Sequence, residues 1–214
     1  MKRRHLDLSL YLVTDQGLAG ERSLHDIVAA ATRGGVTCVQ IREKTASTGE
    51  FIEEVLSIRE LLKKQNIPLI INDRIDIALA VKADGVHLGP SDMPLPMART
   101  LAGKSMIIGV SAESVEGAVA AEREGADYIA VSPLHRTPTK TYAFPPLGIE
   151  GLRSIRTAVR TPLVVIGGLN RENAAEALQN GADGIAVVSA IVAAEDPEEA
   201  ARDLREIITR AREK

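Results

Sequence analysis

Polar and charged residues, together with one pair of glycines, recur in this sequence at the points where short apolar runs stop. In chain order they are Gln40, Arg42 and Lys44; Asn72 and Asp73; Asp92; Ser111; Thr137, Thr139 and Lys140; Gly167 and Gly168; and Ser189. If the apolar runs are parallel strands of one barrel, their carboxyl ends share one face, where barrel enzymes hold their active sites. Cations, a pair of acids and a glycine-rich corner on one face suit phosphorylated substrates and a divalent metal ion.

The first of these groups closes the second apolar run. Alternation along a strand sends Gln40, Arg42 and Lys44 to the same side of the backbone. Three polar side chains entering a barrel mouth do not fill a core in the ordinary way. An arginine grips phosphate with a planar fork and a lysine supplies a compact charge, so the pattern predicts an anion site. The alternative is a set of surface ion pairs.

The two aspartates follow the third and fourth apolar runs. Carboxylates that converge at a barrel mouth repel each other unless a cation lies between them. Mg²⁺ suits such a site because it takes one or two carboxylates and completes its octahedron with water and phosphate oxygens. We therefore predict that Asp73 and Asp92 bind Mg²⁺. The alternative is that each aspartate caps the helix that follows it.

A second anion site is predicted after the last three apolar runs. At Gly167 and Gly168 the missing side chains let backbone N–H groups approach a phosphate, and Ser189 adds a hydroxyl. The segment from Thr137 to Lys140 places two hydroxyls and an ammonium around a rigid proline, which makes an anion clasp. The alternatives are a tight turn for the glycines and a solvated turn for the clasp. No histidine has metal-ligand spacing to another histidine or to the cysteine, so zinc is not expected.

Eight apolar, β-branched runs alternate with helix-period segments from end to end. The runs are Leu10–Thr14, Cys38–Ile41, Leu69–Ile71, Gly85–Leu88, Met106–Val110, Tyr128–Val131, Leu163–Ile166 and Gly184–Val188. Nearly continuous hydrophobicity is typical of parallel strands buried on both faces. Strict alternation leaves a closed barrel or a doubly wound open sheet. The count of eight and the absence of an early GxGxxG motif favour an α/β fold, a single-domain (β/α)8 TIM barrel spanning residues 1–214.

Helix boundaries are also legible in the sequence. Ser47 and Glu50 form a capping box after the second strand, and Asp196 precedes a first-turn proline. Ser114 and Asn170 are the predicted N-caps after the fifth and seventh strands. Small residues followed by aspartate end several helices, as in 83–85, 125–127 and 181–184. This unit is a weak internal repeat with a βα period.

Composition excludes several classes of function. A net charge of −3 argues against a generally basic, nucleic-acid-binding surface, and 2% aromatic residues leave little for stacking on bases. The single cysteine, Cys38, excludes a disulfide framework and reads as a small buried hydrophobe. No apolar run approaches the length of a membrane span, and the N-terminus lacks the apolar stretch of a signal peptide. We expect a cytoplasmic protein that acts on small molecules, without a membrane or nucleic-acid partner.

Taken together, the motifs resemble those of the thiamine phosphate synthase family. The matching motifs are Gln40-x-Arg42-Glu43-Lys44, Asn72-Asp73-Arg74, His87-Leu88-Gly89-x-x-Asp92, Gly109-Val110-Ser111, Thr137-Pro138-Thr139-Lys140, Gly167-Gly168 and Val188-Ser189. Each motif is weak alone. All of them in register, from about Leu10 to Arg205, make the resemblance specific.

The resemblance implies a barrel that condenses hydroxymethylpyrimidine diphosphate with hydroxyethylthiazole phosphate, or its carboxylate form, to thiamine monophosphate and pyrophosphate. It implies a dissociative reaction through a pyrimidine carbocation, assisted by Mg²⁺ on Asp73 and Asp92. By position, the diphosphate and pyrimidine would be bound by Gln40, Arg42, Lys44, Asn72, Ser111 and Lys140. The thiazole phosphate would be held by Thr137, Thr139, Gly168, Val188 and Ser189. Arg42, Lys44, Ser111 and Lys140 would be catalytic, and small homo-oligomers are implied.

Three other functions compete with this interpretation. A thiazole tautomerase of the same fold would not need the cations and acids that this chain retains. A non-catalytic, thiazole phosphate-binding homologue would bind its ligand without forming product. A sugar-phosphate isomerase would share the phosphate corner but needs an acid/base pair that the sequence does not provide.

Overall fold

A computed structural model describes residues 6–137 and 145–213. Eight parallel strands form a closed barrel in chain order, with β8 pairing back to β1. The strands are β1 (Leu10–Val13), β2 (Cys38–Ile41), β3 (Leu69–Asn72), β4 (Gly85–Leu88), β5 (Ile107–Ala112), β6 (Tyr128–Val131), β7 (Leu163–Ile166) and β8 (Gly184–Val187). The predicted (β/α)8 barrel is confirmed.

Ten helical segments cover the outside of the barrel within the described residues. They are α1 (Gln16–Ala19), α2 (Leu24–Arg33), α3 (Thr48–Gln65), α4 (Ile75–Ala80), α5 (Leu95–Ala102), α6 (Val115–Glu124), α7 (Gly148–Ala158), α8 (Ala174–Gln179), α9 (Ser189–Val192) and α10 (Pro197–Arg212). The strict alternation predicted from sequence holds, except that α1 and α9 are additional one-turn helices. None of the helices in the described ranges is long and apolar enough to span a bilayer.

Two hydrophobic cores lie on opposite faces of the strands. The larger core fills the layer between barrel and helices, and the smaller one fills the barrel interior around Tyr11, Ile70 and Tyr128. Because side chains alternate along each strand, both faces are buried, which explains the nearly unbroken apolar runs. β5 continues beyond its predicted end because Ser111 and Ala112 still pair with β6.

Three of the four predicted N-caps are confirmed. Ser47 forms a complete capping box, and Ser114 and Asp196 accept hydrogen bonds from first-turn N–H groups. The prediction for Asn170 is wrong, since α8 begins only after Asn173. The Asn170 Oδ1 accepts from the N–H of residue 172, and the Asn173 Oδ1 accepts from the Asn170 N–H. These local bonds hold residues 170–173 in turns and delay the helix.

The repeated aspartates at the helix ends join neighbouring strands at the amino-terminal end of the barrel. Asp84, Asp127 and Asp183 each accept a backbone N–H bond on Oδ2 and donate their own N–H to the carbonyl of that same residue. The partners are Leu69, Ile108 and Leu163, and the carboxylate bonds measure 3.0, 2.9 and 2.7 Å. The internal repeat therefore reflects strand registration, away from the carboxyl-end face.

Candidate active site at the carboxyl ends of the strands

A cavity of about 860 Å³, open to solvent, lies at the carboxyl ends of the strands. Eight of the residues predicted to bind substrate line it, namely Gln40, Arg42, Asn72, Ser111, Thr137, Gly168, Val188 and Ser189. They come from six different strands or the loops that follow them, so only barrel closure brings them together. Thr139 and Lys140 lie outside the described residues.

Arg42 is held in the cavity wall by the end of β1. Its Nη1 donates to the Asp15 Oδ2 at 2.8 Å, and its backbone N–H donates to the Thr14 Oγ1 at 3.1 Å. Asp15 also caps α1 by accepting from the Leu18 N–H. Sequence reasoning missed Asp15, although it too is a polar residue placed just beyond an apolar run.

The two predicted metal ligands are in contact with each other beyond the ends of β3 and β4, and neither they nor Lys44 are among the residues that line the cavity. The carboxyl groups of Asp73 and Asp92 share a hydrogen bond, and the Lys44 Nζ forms an ion pair with the Asp73 Oδ2. Neither aspartate caps the following helix, because the N-caps of α4 and α5 are Arg74 and Pro94 without side-chain bonds. The capping alternative is therefore wrong for both aspartates.

Charge is unevenly distributed over this acidic pair. Burial raises the pKa of Asp73, but the bonds from Asp92 and Lys44 outweigh it and leave that pKa below its ordinary value. Burial, followed by the hydrogen bond to Asp73, raises the pKa of Asp92. Two carboxylates this close require a proton or a cation between them. Two carboxylates are enough for Mg²⁺, which completes its coordination with water and phosphate oxygens. Clusters of three or more His, Cys, Asp or Glu that could hold a metal ion are absent from the described ranges.

The glycine corner after β7 is shaped by crowding as well as by backbone conformation. Gly167 and Gly168 have φ of 104° and 66°, which side chains rarely adopt. A Cβ at Gly168 would lie 2.6 Å from the carbonyl oxygen of Arg136. Beside it, Ser189 opens α9, where the N–H groups of Ile191 and Val192 both donate to the carbonyl of the N-cap residue Val188. The corner thus combines positive φ with close backbone approach, and the glycines also meet the requirements of a tight turn.

A layer of aromatic and polar side chains forms the floor of the cavity. Tyr11, His87 and Tyr128 lie there, almost fully buried, and connect by hydrogen bonds to Gln40 and Ser111. The sequence interpretation rejected His87 as a zinc ligand and otherwise used it only as part of a family motif, and it did not consider the tyrosines. Their inward positions on β1, β4 and β6 follow from strand alternation, which is the signal that could have identified them.

The fold and the site together define a (β/α)8-barrel enzyme with its site at the carboxyl ends of the strands. Residues 10–191 match the family model described as thiamine monophosphate synthase. The thiamine-phosphate synthase of Chloroflexus aurantiacus is 52% identical over 209 residues, which cover 98% of this chain and 96% of that protein. The one from Albidiferax ferrireducens is 54% identical over 201 residues, 94% of this chain and 92% of that protein.

A solved structure gives the same result in three dimensions. The thiamine phosphate pyrophosphorylase from Pyrococcus furiosus matches with a TM-score of 0.88 at 42% identity, covering 96% of this chain and 98% of that one. The chain belongs to the thiamine monophosphate synthase family, whose members are transferases, as the motifs predicted.

Proposed function

We propose that this chain joins hydroxymethylpyrimidine diphosphate to hydroxyethylthiazole phosphate, releasing pyrophosphate and forming thiamine monophosphate. The observation that carries the proposal is one cavity lined by residues of both groups predicted to bind anions. Arg42 and Asn72 lie on the side of β2 and β3, whereas Gly168 and Ser189 lie on the side of β7 and β8. A two-substrate condensation of phosphorylated molecules needs this arrangement.

In the proposed reaction one C–O bond breaks and one C–N bond forms. The bond between the pyrimidine methylene carbon and the diphosphate oxygen breaks, and its electrons leave with pyrophosphate. The lone pair of the thiazole nitrogen then forms the new C–N bond. That nitrogen carries no proton, so no general base is required.

The chain's own residues act mainly on the leaving group. Negative charge builds on pyrophosphate as the C–O bond breaks, and fixed cations stabilise that charge more than they stabilise the substrate. Arg42, preoriented by Asp15, and Lys44 are assigned this role, together with Lys140. The glycine corner would hold the thiazole phosphate so that its ring nitrogen faces the methylene carbon.

Mg²⁺ would be held by Asp73 and Asp92. When bound, it supplies positive charge to the diphosphate oxygens. Lys44 is paired with Asp73, so it would lie beside both the metal site and the leaving group. The retention of Arg42, Lys44 and the acidic pair favours diphosphate chemistry over a tautomerase, which releases no pyrophosphate.

The test is product formation from the two purified substrates with Mg²⁺, with and without a chelator. We expect thiamine monophosphate and pyrophosphate in equal amounts, and their loss when the chelator is added. Folded protein that binds thiazole phosphate without making product would refute the proposal in favour of a silent binder. Isomerisation of the thiazole carboxylate alone would refute it in favour of a tautomerase.

A further inference from the structure

A continuous chain of hydrogen bonds crosses the floor of the cavity and links two of its walls. The Gln40 Nε2 donates to the Tyr11 hydroxyl at 2.8 Å, and the hydroxyls of Tyr11 and Tyr128 lie 2.8 Å apart. The Tyr128 hydroxyl is 3.0 Å from the His87 Nδ1, and the His87 Nε2 is 2.9 Å from the Ser111 Oγ. The chain therefore joins β2 to β5 through β1, β6 and β4.

The Gln40 amide at one end determines which atom is the donor in every hydrogen bond of this series. An amide N–H only donates, so the Tyr11 oxygen accepts from Gln40, and the proton of Tyr11 goes to Tyr128. The other neighbour of Tyr11, the Cys38 thiol, offers only a weak sulfur acceptor. Tyr128 in turn donates to the His87 Nδ1. His87 is then the tautomer with its proton on Nε2, which donates to the Ser111 Oγ.

This direction has a consequence at the cavity wall. Since Ser111 accepts from His87, its own O–H is left to donate to a ligand. If the hydrogen bonds ran the other way, Ser111 would donate its proton to the His87 Nε2 and could not donate it to a ligand. Burial raises the pKa of both tyrosines well above the ordinary value, so both phenols keep the protons that the chain needs.

We propose that His87 is a positioning residue whose tautomer, set by Tyr128 and Tyr11, fixes Ser111 as a hydrogen-bond donor to the pyrimidine substrate. The proposal rests on the proposed function for the identity of that substrate. The group that accepts from Ser111 would be a ring nitrogen or oxygen of the pyrimidine diphosphate. Gln40, at the other end of this series of hydrogen bonds, also lines the cavity.

The fold reserves space for this chain of bonds. Tyr128 lies against Gly109, two residues before Ser111 on β5, where a Cβ would be 2.0 Å from the Tyr128 Cζ and 2.4 Å from its hydroxyl. Any side chain at 109 would displace the phenol from His87. The rings of Tyr128 and His87 also stack, with centroids 5.6 Å apart. The Gly109-Val110-Ser111 motif therefore begins with glycine because the Tyr128 ring occupies the space that a side chain at position 109 would need.

The first test reads the tautomer without any substrate. Long-range ¹H–¹⁵N NMR at neutral pH distinguishes the two nitrogens of a histidine ring. The protein has four histidines, so the His87 signals are assigned as those that disappear in His87→Gln. We expect Nε2–H at His87 in the wild type, and a loss of that preference in Tyr128→Phe. A wild-type Nδ1–H tautomer or a doubly protonated ring would overturn the proposal, whatever the protein catalyses.

The second test is kinetic and uses paired variants. In Tyr128→Phe and His87→Leu we expect kcat/KM for the pyrimidine diphosphate to fall about tenfold, while the KM for thiazole phosphate moves by less than about twofold. His87→Gln, whose amide can donate to Ser111, should recover activity to within about threefold of the wild type. Thr32→Val removes a buried hydroxyl outside the site and serves as the control.

Each kinetic result decides the proposal. An unchanged kcat/KM in Tyr128→Phe, or equal losses in His87→Gln and His87→Leu, would overturn it. A wild type that makes no product would refute the proposed function instead, and the NMR result would still decide the tautomer.

Discussion

Replacing Gly168 by alanine tests whether the glycine corner is shaped for a phosphate. The residue has φ of 66°, and an added Cβ would lie 2.6 Å from the Arg136 carbonyl oxygen and 2.9 Å from the His135 Cβ. Positive φ costs an alanine about 1–2 kcal/mol. Forcing a methyl group into a packed site adds about 1–3 kcal/mol. We therefore expect Gly168→Ala to lower the free energy of unfolding by about 2–5 kcal/mol.

The same change should disturb the site. The Arg136 carbonyl would have to move by about 0.8 Å to reach ordinary contact distance. Arg136 directly precedes Thr137, which lines the cavity. Displacements of about 1 Å near reacting groups cost about 100-fold in rate. We expect kcat/KM for thiazole phosphate to fall about 10- to 100-fold.

Gly125→Ala is the matched control. Gly125 has φ of 89° and ψ of 38°, in the left-handed region, with nothing within 4 Å of an added Cβ, and it lies at the end of α6. It should lose only about 1–2 kcal/mol of stability and keep its kinetic constants. Steady-state kinetics and urea unfolding of both variants give the comparison. Equal stability losses, or an effect of Gly168→Ala confined to the pyrimidine diphosphate, would refute the reasoning.

Three further predictions concern aspartates with different roles. Asp92→Ala should lower turnover by about 100- to 1,000-fold at saturating Mg²⁺, and near-normal turnover would remove Asp92 from the metal site. Asp15→Asn keeps a good cap for α1 but removes the carboxylate from Arg42. It should lower kcat/KM for the pyrimidine diphosphate about tenfold at an unchanged melting temperature, and a purely thermal effect would contradict this. Asp183→Ala should reduce the free energy of unfolding by about 1–3 kcal/mol without changing kcat, whereas an altered kcat would show that the strand link reaches the site.

Much of the architecture could be predicted because it depends on local composition. Four strands, Cys38–Ile41, Gly85–Leu88, Tyr128–Val131 and Leu163–Ile166, have the bounds that their apolar runs predicted. A parallel strand buried on both faces must be apolar at nearly every position, so its pattern is visible without knowledge of its neighbours. The capping box at Ser47 and the cap at Asp196 are equally local. Asn170 was misjudged because an Asx turn and a helix cap use the same side-chain oxygen.

The predicted site residues were found because they occur beside the strand ends, one group at a time. Their relations to one another were not accessible in the same way. Tyr11 and Tyr128 are separated by 117 positions and Arg42 and Asp15 by 27, yet each pair is joined by a hydrogen bond. The contact between Tyr11 and Tyr128 depends on the closure of β8 onto β1 and on the register of the intervening strands, whereas Asp15 meets Arg42 through the pairing of β1 with β2.

The sequence by itself thus determined the barrel, the family and the chemical types of side chain at its mouth. Only the tertiary structure decided that Asp73 meets Asp92, that Asp15 orients Arg42, and that a buried chain of hydrogen bonds ends on Ser111. The physical reason is that strand alternation assigns each side chain to a face. Barrel curvature and register then decide which of the inward side chains come within hydrogen-bond distance.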